Sequence, residues 1–120
     1  MVPMSLKGIL VFAPDIAGAR TFFGEVLGFR LTRDEDRTLT FQGPNFVLNV
    51  FECESAASSE RYSQVAGSSV AFAVPSLETA IAELSAKGVR FLHVAPKAGP
   101  VGRYVAFTDP YGTVFELVEQ

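Results

Sequence analysis

The sequence predicts an α+β fold built from two tandem βαβββ modules. An internal repeat, duplicated helix punctuation and matching turn signals lead to that prediction. ILVFAPDIAGARTFFGEVLGFRL, from Ile9, aligns with VAFAVPSLETAIAELSAKGVRF, from Val70, at an offset of 61 residues, until a one-residue deletion shortens the second helix. Each copy reads as strand, Pro, capping residue, helix, Gly, strand, and such self-similarity decides the fold before any single element does.

In the first copy Asp15 is placed to accept from the opening N–H groups of a helix. Ile16, Ala19, Phe22, Phe23, Val26 and Leu27 fall on one face of that helix, and Gly28 ends it. In the second copy Ser76 caps, Leu77, Ala80, Ile81 and Leu84 point inward, Glu83 and Lys87 pair outward, and Gly88 closes. Short strands follow each helix. Their turn signals are DED at 34–36 and QGPN at 42–45 in the first half, and PKAGPVG at 96–102 and DPYG at 109–112 in the second. Asp-Pro-x-Gly suits a type I turn in which Asp109 bonds its own backbone and Pro110 pre-sets φ. The segment CESAASSERYSQVAGSS is poor in apolar residues and reads as a surface crossover. The expected organisation is therefore a single domain over 1–120, with module 1 at about 5–52, a linker at about 53–68 and module 2 at about 69–120.

A chain of 120 residues can bury about two-thirds of its unfolded surface. An apolar fraction of 48% with eleven Phe supports a true core, and no apolar run reaches the ~20 residues of a membrane span. The opening MVPMSLKGILVFAPD reads as a first strand and not as a leader. A single cysteine, Cys53, suits a reducing cytoplasm. A net charge of −3 without a Lys/Arg cluster argues against nucleic acid as a partner.

The doubled unit, with PDIAGARTFFGEVLGF after the first strand and FTDPYGTVFELVE at the end, resembles the vicinal oxygen chelate superfamily of glyoxalases, extradiol dioxygenases, and fosfomycin and bleomycin resistance proteins. The resemblance covers nearly the whole chain. It implies an open, curled eight-stranded mixed sheet around a cleft, helices outside, usually completed by a second subunit. Enzymes of that group hold a divalent metal at four cleft positions, typically with His and carboxylate ligands. Carried over by counting, those positions are Gly8, Asn49, Ser69 and Glu116. One carboxylate, an amide, a neutral hydroxyl and a glycine do not make the three or four ligands that zinc or iron requires, so no metal and no cofactor are expected. The lone His93, on a strand that does not normally contribute to the metal site, reads as structural or as a contact at the cleft edge.

Strand parity then gives the cleft face from each position. Leu10 and Phe12 follow from Gly8, Val47 and Phe51 from Asn49, Ala71 and Ala73 from Ser69, and Val114 and Val118 from Glu116. The resemblance to the fosfomycin enzymes adds Tyr104, Ala106 and Thr108, with Phe41 a weaker candidate. The predicted ligand-binding set is Phe12, Asn49, Phe51, Ser69, Tyr104, Thr108 and Glu116 in an apolar, aromatic chamber. The reading that follows is a homodimeric, cytoplasmic protein that binds a small apolar or aromatic molecule, with Glu116 its charged handle. The alternative is a lyase, isomerase or dioxygenase-type enzyme of the same superfamily, either metal-free with Glu116 as a catalytic base or with metal ligands elsewhere. A structural or regulatory dimer module without a ligand is the third possibility.

Overall fold

The computed structural model describes residues 1–120 as two compact units, Met1–Ser55 and Ala56–Gln120. In the first unit the order is β1 (Ile9–Ala13), α1 (Ile16–Ala19), β2 (Arg30–Glu35), β3 (Thr38–Gln42) and β4 (Val47–Glu52). The second unit repeats it as β5 (Val70–Val74), α2 (Leu77–Ala86), β6 (Arg90–Phe91), β7 (Tyr104–Thr108) and β8 (Val114–Glu119). The eight strands form two four-stranded mixed sheets, ordered β1-β4-β3-β2 and β5-β8-β7-β6. In each sheet the first strand runs parallel to the last and the other pairs are antiparallel. No helix is long and apolar enough to cross a membrane.

The repeated punctuation is physical. Asp15 accepts from the Gly18 N–H at 3.1 Å and Ser76 from the Thr79 N–H at 3.3 Å, each satisfying a helix-opening donor. Gly28 and Gly88 take φ of +79° and +88°, the left-handed conformation that ends a helix most easily without a Cβ. The helices nonetheless differ. The first is not α-helical throughout as expected: after Ala19 it widens into π-helical turns over Arg20–Val26, closed by the Leu27 N–H donating to the Phe22 carbonyl at 2.9 Å. These turns bring consecutive residues Phe22 and Phe23 both into the core.

The strand face opposite Leu10, Asn49, Ala71 and Glu116 packs beneath the helices. Val11, Leu48 and Val50 are buried in the first unit with Phe23, Leu39 and Phe41. In the second unit Phe115 and Leu117 are buried with Leu77, Val105 and Phe107. The rings of Phe107 and Phe115 stack at 5.6 Å. At about 25 cal/mol per Å² of apolar area removed from water, burial of these side chains is a main stabilising contribution in each unit.

From Ala56 on, the linker belongs to the second unit. Its Ala57 N–H donates to the Tyr111 carbonyl at 2.8 Å, which fastens it to the turn between β7 and β8. That turn is built by Asp109, whose Oδ1 accepts from the Tyr111 and Thr113 N–H groups at 2.9 and 3.0 Å. Asp109 is only 2% exposed and its Oδ2 has no partner, so burial pushes its carboxyl above the ordinary aspartate range against these opposing hydrogen bonds. Gly112 has φ of +90° and lies so close to Ala57 that a Cβ would overlap the Ala57 carbonyl.

Candidate functional site

Glu116 occupies the middle of β8 in register with Ala71 of β5 on one side and Ala106 of β7 on the other. Two neighbours with no side chain beyond Cβ leave open space around the carboxylate. Tyr62, from the linker, reaches into that space and donates its hydroxyl to Glu116 Oε2. None of the ion pairs in the structure includes Glu116. Glu119, three residues on, belongs to the opposite face. There the Leu77 N–H and the Arg103 guanidinium hold its carboxyl below the ordinary range.

Glu116, Tyr62 and Ser63 border two cavities of the second unit. One, of about 330 Å³, is bounded by the linker from Ala57 to Ser69 and by Gly112, Thr113 and Val114. The other, of about 520 Å³, is more polar and is lined by Arg90, His93, Lys97 and Tyr104 together with Glu60 and Glu116. Arg90 reaches it because β6 pairs with β7 in a register that sets Arg90 beside Thr108 and Phe91 beside Phe107. The alternation then sends Phe91 to the core and Arg90 to the cavity face. Lys97 arrives through a bridge to Tyr104, with backbone hydrogen bonds of 2.9 Å in both directions. His93 lies beyond β6, in the loop and not on a strand as expected, with its ring edge-on to Tyr104 at 5.7 Å. Burial, and then the neighbouring Lys97 ammonium, hold its imidazole below the ordinary histidine range, and its Nδ1 has no partner.

The sequence-derived residues fall out as follows. Tyr104 and Glu116 line the larger cavity, and Ser69 and Glu116 the smaller. Ser69 donates its hydroxyl to the Val114 carbonyl at 2.8 Å. Thr108 borders neither cavity and is 5% exposed. Asn49 holds the place in the first sheet that Glu116 holds in the second, in register between Leu10 and Thr40. Its Oδ1 accepts from the Thr40 hydroxyl at 2.8 Å, and Gly8 leaves its Nδ2 uncrowded. Phe12 and Phe51 lie with ring centroids 6.0 Å apart in the first unit, where Phe12 is 57% exposed and Leu10 60% exposed. Sequence reasoning did not find Tyr62, Arg90 or Lys97. The available signal for Tyr62 was that it is the sole aromatic residue in a stretch of Ser and Ala.

A catalytic divalent metal needs three or four converging donors. Ser69 offers only a neutral hydroxyl that donates to the Val114 carbonyl, Asn49 Oδ1 accepts from Thr40, Gly8 has no side-chain donor atom, and no group of three His, Cys, Asp or Glu side chains converges anywhere in the chain. The residues present do not fit such an ion.

Comparison with known proteins places this arrangement. The profile of the Glyoxalase/Bleomycin resistance protein/Dioxygenase superfamily matches residues 5–117. Among solved structures, a glyoxalase family protein from Enterococcus faecalis is 22% identical with a TM-score of 0.79, covering 94% of this chain and 95% of that one. The fosfomycin resistance protein FosX from Listeria monocytogenes is 17% identical with a TM-score of 0.79, covering 99% and 95%. A lactoylglutathione lyase from Agrobacterium tumefaciens is 18% identical with a TM-score of 0.71, covering 98% and 94%. At these identities the likeness is one of fold. No curated protein matches the sequence. The family profile spans nearly the whole chain and the βαβββ module occurs twice, and the chain therefore belongs to the glyoxalase/bleomycin resistance protein/dioxygenase superfamily.

Proposed function

We propose that this chain is a small-molecule binding protein of the superfamily, with its ligand held at Glu116. The observation that carries the reading is the half-buried Glu116 carboxylate, with alanine on both flanks and open cavity space beside it. A cavity of about 520 Å³ has the size of a small-ligand site, and Tyr62, Tyr104 and His93 give it ring surface suited to an aromatic body. In a half-buried setting the carboxylate attracts a cationic or hydrogen-bond-donating group more strongly than it would in open water. A homodimer in the cytoplasm remains part of the proposal. The exposed Leu10 and Phe12 on β1 give a second copy apolar surface to cover.

Calorimetric titration with phenethylamine and larger aromatic amines tests the site. Saturable binding that weakens at least tenfold in Glu116→Gln is expected, and no heat from any amine overturns the reading. Native mass spectrometry of the purified chain reports dimerisation and any copurified compound in the same spectrum.

The Tyr62–Glu116 hydrogen bond favours a second reading. The Glu116 carboxylate could take a proton next to a carbonyl while the Tyr62 phenol turns its single O–H from Glu116 to the developing enolate, without a metal. Exchange of an α-proton for deuterium in a carbonyl substrate, abolished in both Glu116→Gln and Tyr62→Phe, distinguishes turnover from binding.

A further inference from the structure

The larger Glu116 cavity carries two cations that the small-molecule reading does not use. Arg90 and Lys97 ion-pair with no carboxylate, as Lys7, Arg30 and Arg61 also do not, and what sets these two apart is that both line this one cavity. The register fixes both on the cavity face. Arg90 stands beside Thr108 at one end of β7 and Lys97 beside Tyr104 at the other, with Ala106 and its partner Glu116 between them. At ~3.3 Å per residue the two cationic positions lie on the order of 13 Å apart along the strand, within the combined reach of both side chains from a ligand centred over Ala106.

Glu60 and Glu116 supply the opposing charge on the same walls. A purely anionic ligand would face two carboxylates, and a purely cationic one would face Arg90 and Lys97. A wall with both signs discriminates against either. His93 is the hydrogen-bonding member of the cavity. Because its imidazole is held below the ordinary range it is neutral near pH 7, so the positive charge is that of Arg90 and Lys97.

Resting on the small-molecule reading of this site, we infer that the ligand is amphoteric: an aromatic or apolar body bearing an oxyanion for Arg90 and Lys97 and a cationic or donor group for Glu116. Arg90 suits the oxyanion best, because a guanidinium presents two parallel N–H donors to two oxygens, and Lys97 adds a point charge.

Three probes with one aromatic body separate the charges. L-phenylalanine carries both groups, phenethylamine lacks the carboxylate, and 3-phenylpropionate lacks the amine. Each is titrated by calorimetry into the full chain and followed by the imidazole proton signals of His93, which are unambiguous because the chain has one histidine. The expected result is that L-phenylalanine binds at least tenfold more tightly than either fragment and shifts the His93 signals. The double variant Arg90→Gln/Lys97→Gln should lose that advantage while its affinity for phenethylamine does not fall. If phenethylamine binds wild type as tightly as L-phenylalanine, or if the advantage survives in the double variant, the inference is overturned and the Glu116 reading stands. If none of the three binds, the Glu116 reading itself falls. Circular dichroism of the double variant, with both substitutions at solvent-facing side chains, verifies that it is folded before titration.

Discussion

Gly112 offers a quantitative test of how the linker is held. Substitution by alanine there has two costs. The first is conformational: φ of +90° is a backbone state that an L side chain adopts with a strain of about 1–2 kcal/mol. The second is steric, since the new Cβ would overlap the Ala57 carbonyl oxygen and stand 2.8 Å from its carbon. Backbone cannot rotate away as a side chain would, so the linker must lift, and the Ala57–Tyr111 hydrogen bond of 2.8 Å is lost with it. That bond contributes about 0.5–1.5 kcal/mol net. Gly112→Ala should therefore destabilise the chain by about 2–3 kcal/mol, or about 10 °C in Tm for a chain of this length. Gly88→Ala is the internal control, because Gly88 has φ of +88° but nothing within 4 Å of the added Cβ. It should cost the strain alone, about 1–2 kcal/mol and about 4–8 °C. Differential scanning calorimetry gives both values, and trypsin cleavage after Arg61 should accelerate only in Gly112→Ala. Equal losses in the two variants, with equal cleavage rates, would refute the clamp.

Two further outcomes follow from the second unit. Phe107→Ala removes a fully buried ring in contact with Phe91 and Phe115 and should cost about 3–5 kcal/mol in urea unfolding, with the m-value unchanged. Asp109 gives a pH signature: its folded carboxyl holds a proton more tightly than the ordinary value of 3.8, so above that value the folded state binds more protons than the unfolded chain. The stability Asp109 contributes is thus fully present below 3.8 and falls as pH rises through the folded value. The stability of wild type relative to Asp109→Asn should decline as pH rises above about 4 in urea titrations, and a flat difference would contradict the buried, unpartnered Oδ2.

Much of the fold was legible because its signals are local. Asp15 and Ser76 as caps, Gly28 and Gly88 as stops, and the alternation of Val11, Leu48, Val50, Phe115 and Leu117 each depend on a few neighbouring residues. The site was less legible because its missing members depend on distance in sequence. Tyr62 meets Glu116 across 54 residues, from a segment whose composition marks only a surface loop. Arg90 belongs to a two-residue strand too short to show alternation, and its face follows only once β6 is paired with β7. His93 follows an apolar run that reads as strand, yet β6 ends at Phe91 and the chain turns off before it.

The widened turns of the first helix settle how two unequal copies of one unit can build matching sheets. An added residue in regular α-helix rotates everything after it by about 100° and would carry the chain leaving the helix out of line. Over Arg20–Val26 the longer spacing of the backbone hydrogen bonds takes up the surplus residue within the helix itself. Gly28 and Arg30 then follow as Gly88 and Arg90 do, and β2 joins its sheet in the place β6 joins the other. The first helix is thus one place where the two copies differ in length while strand order stays the same.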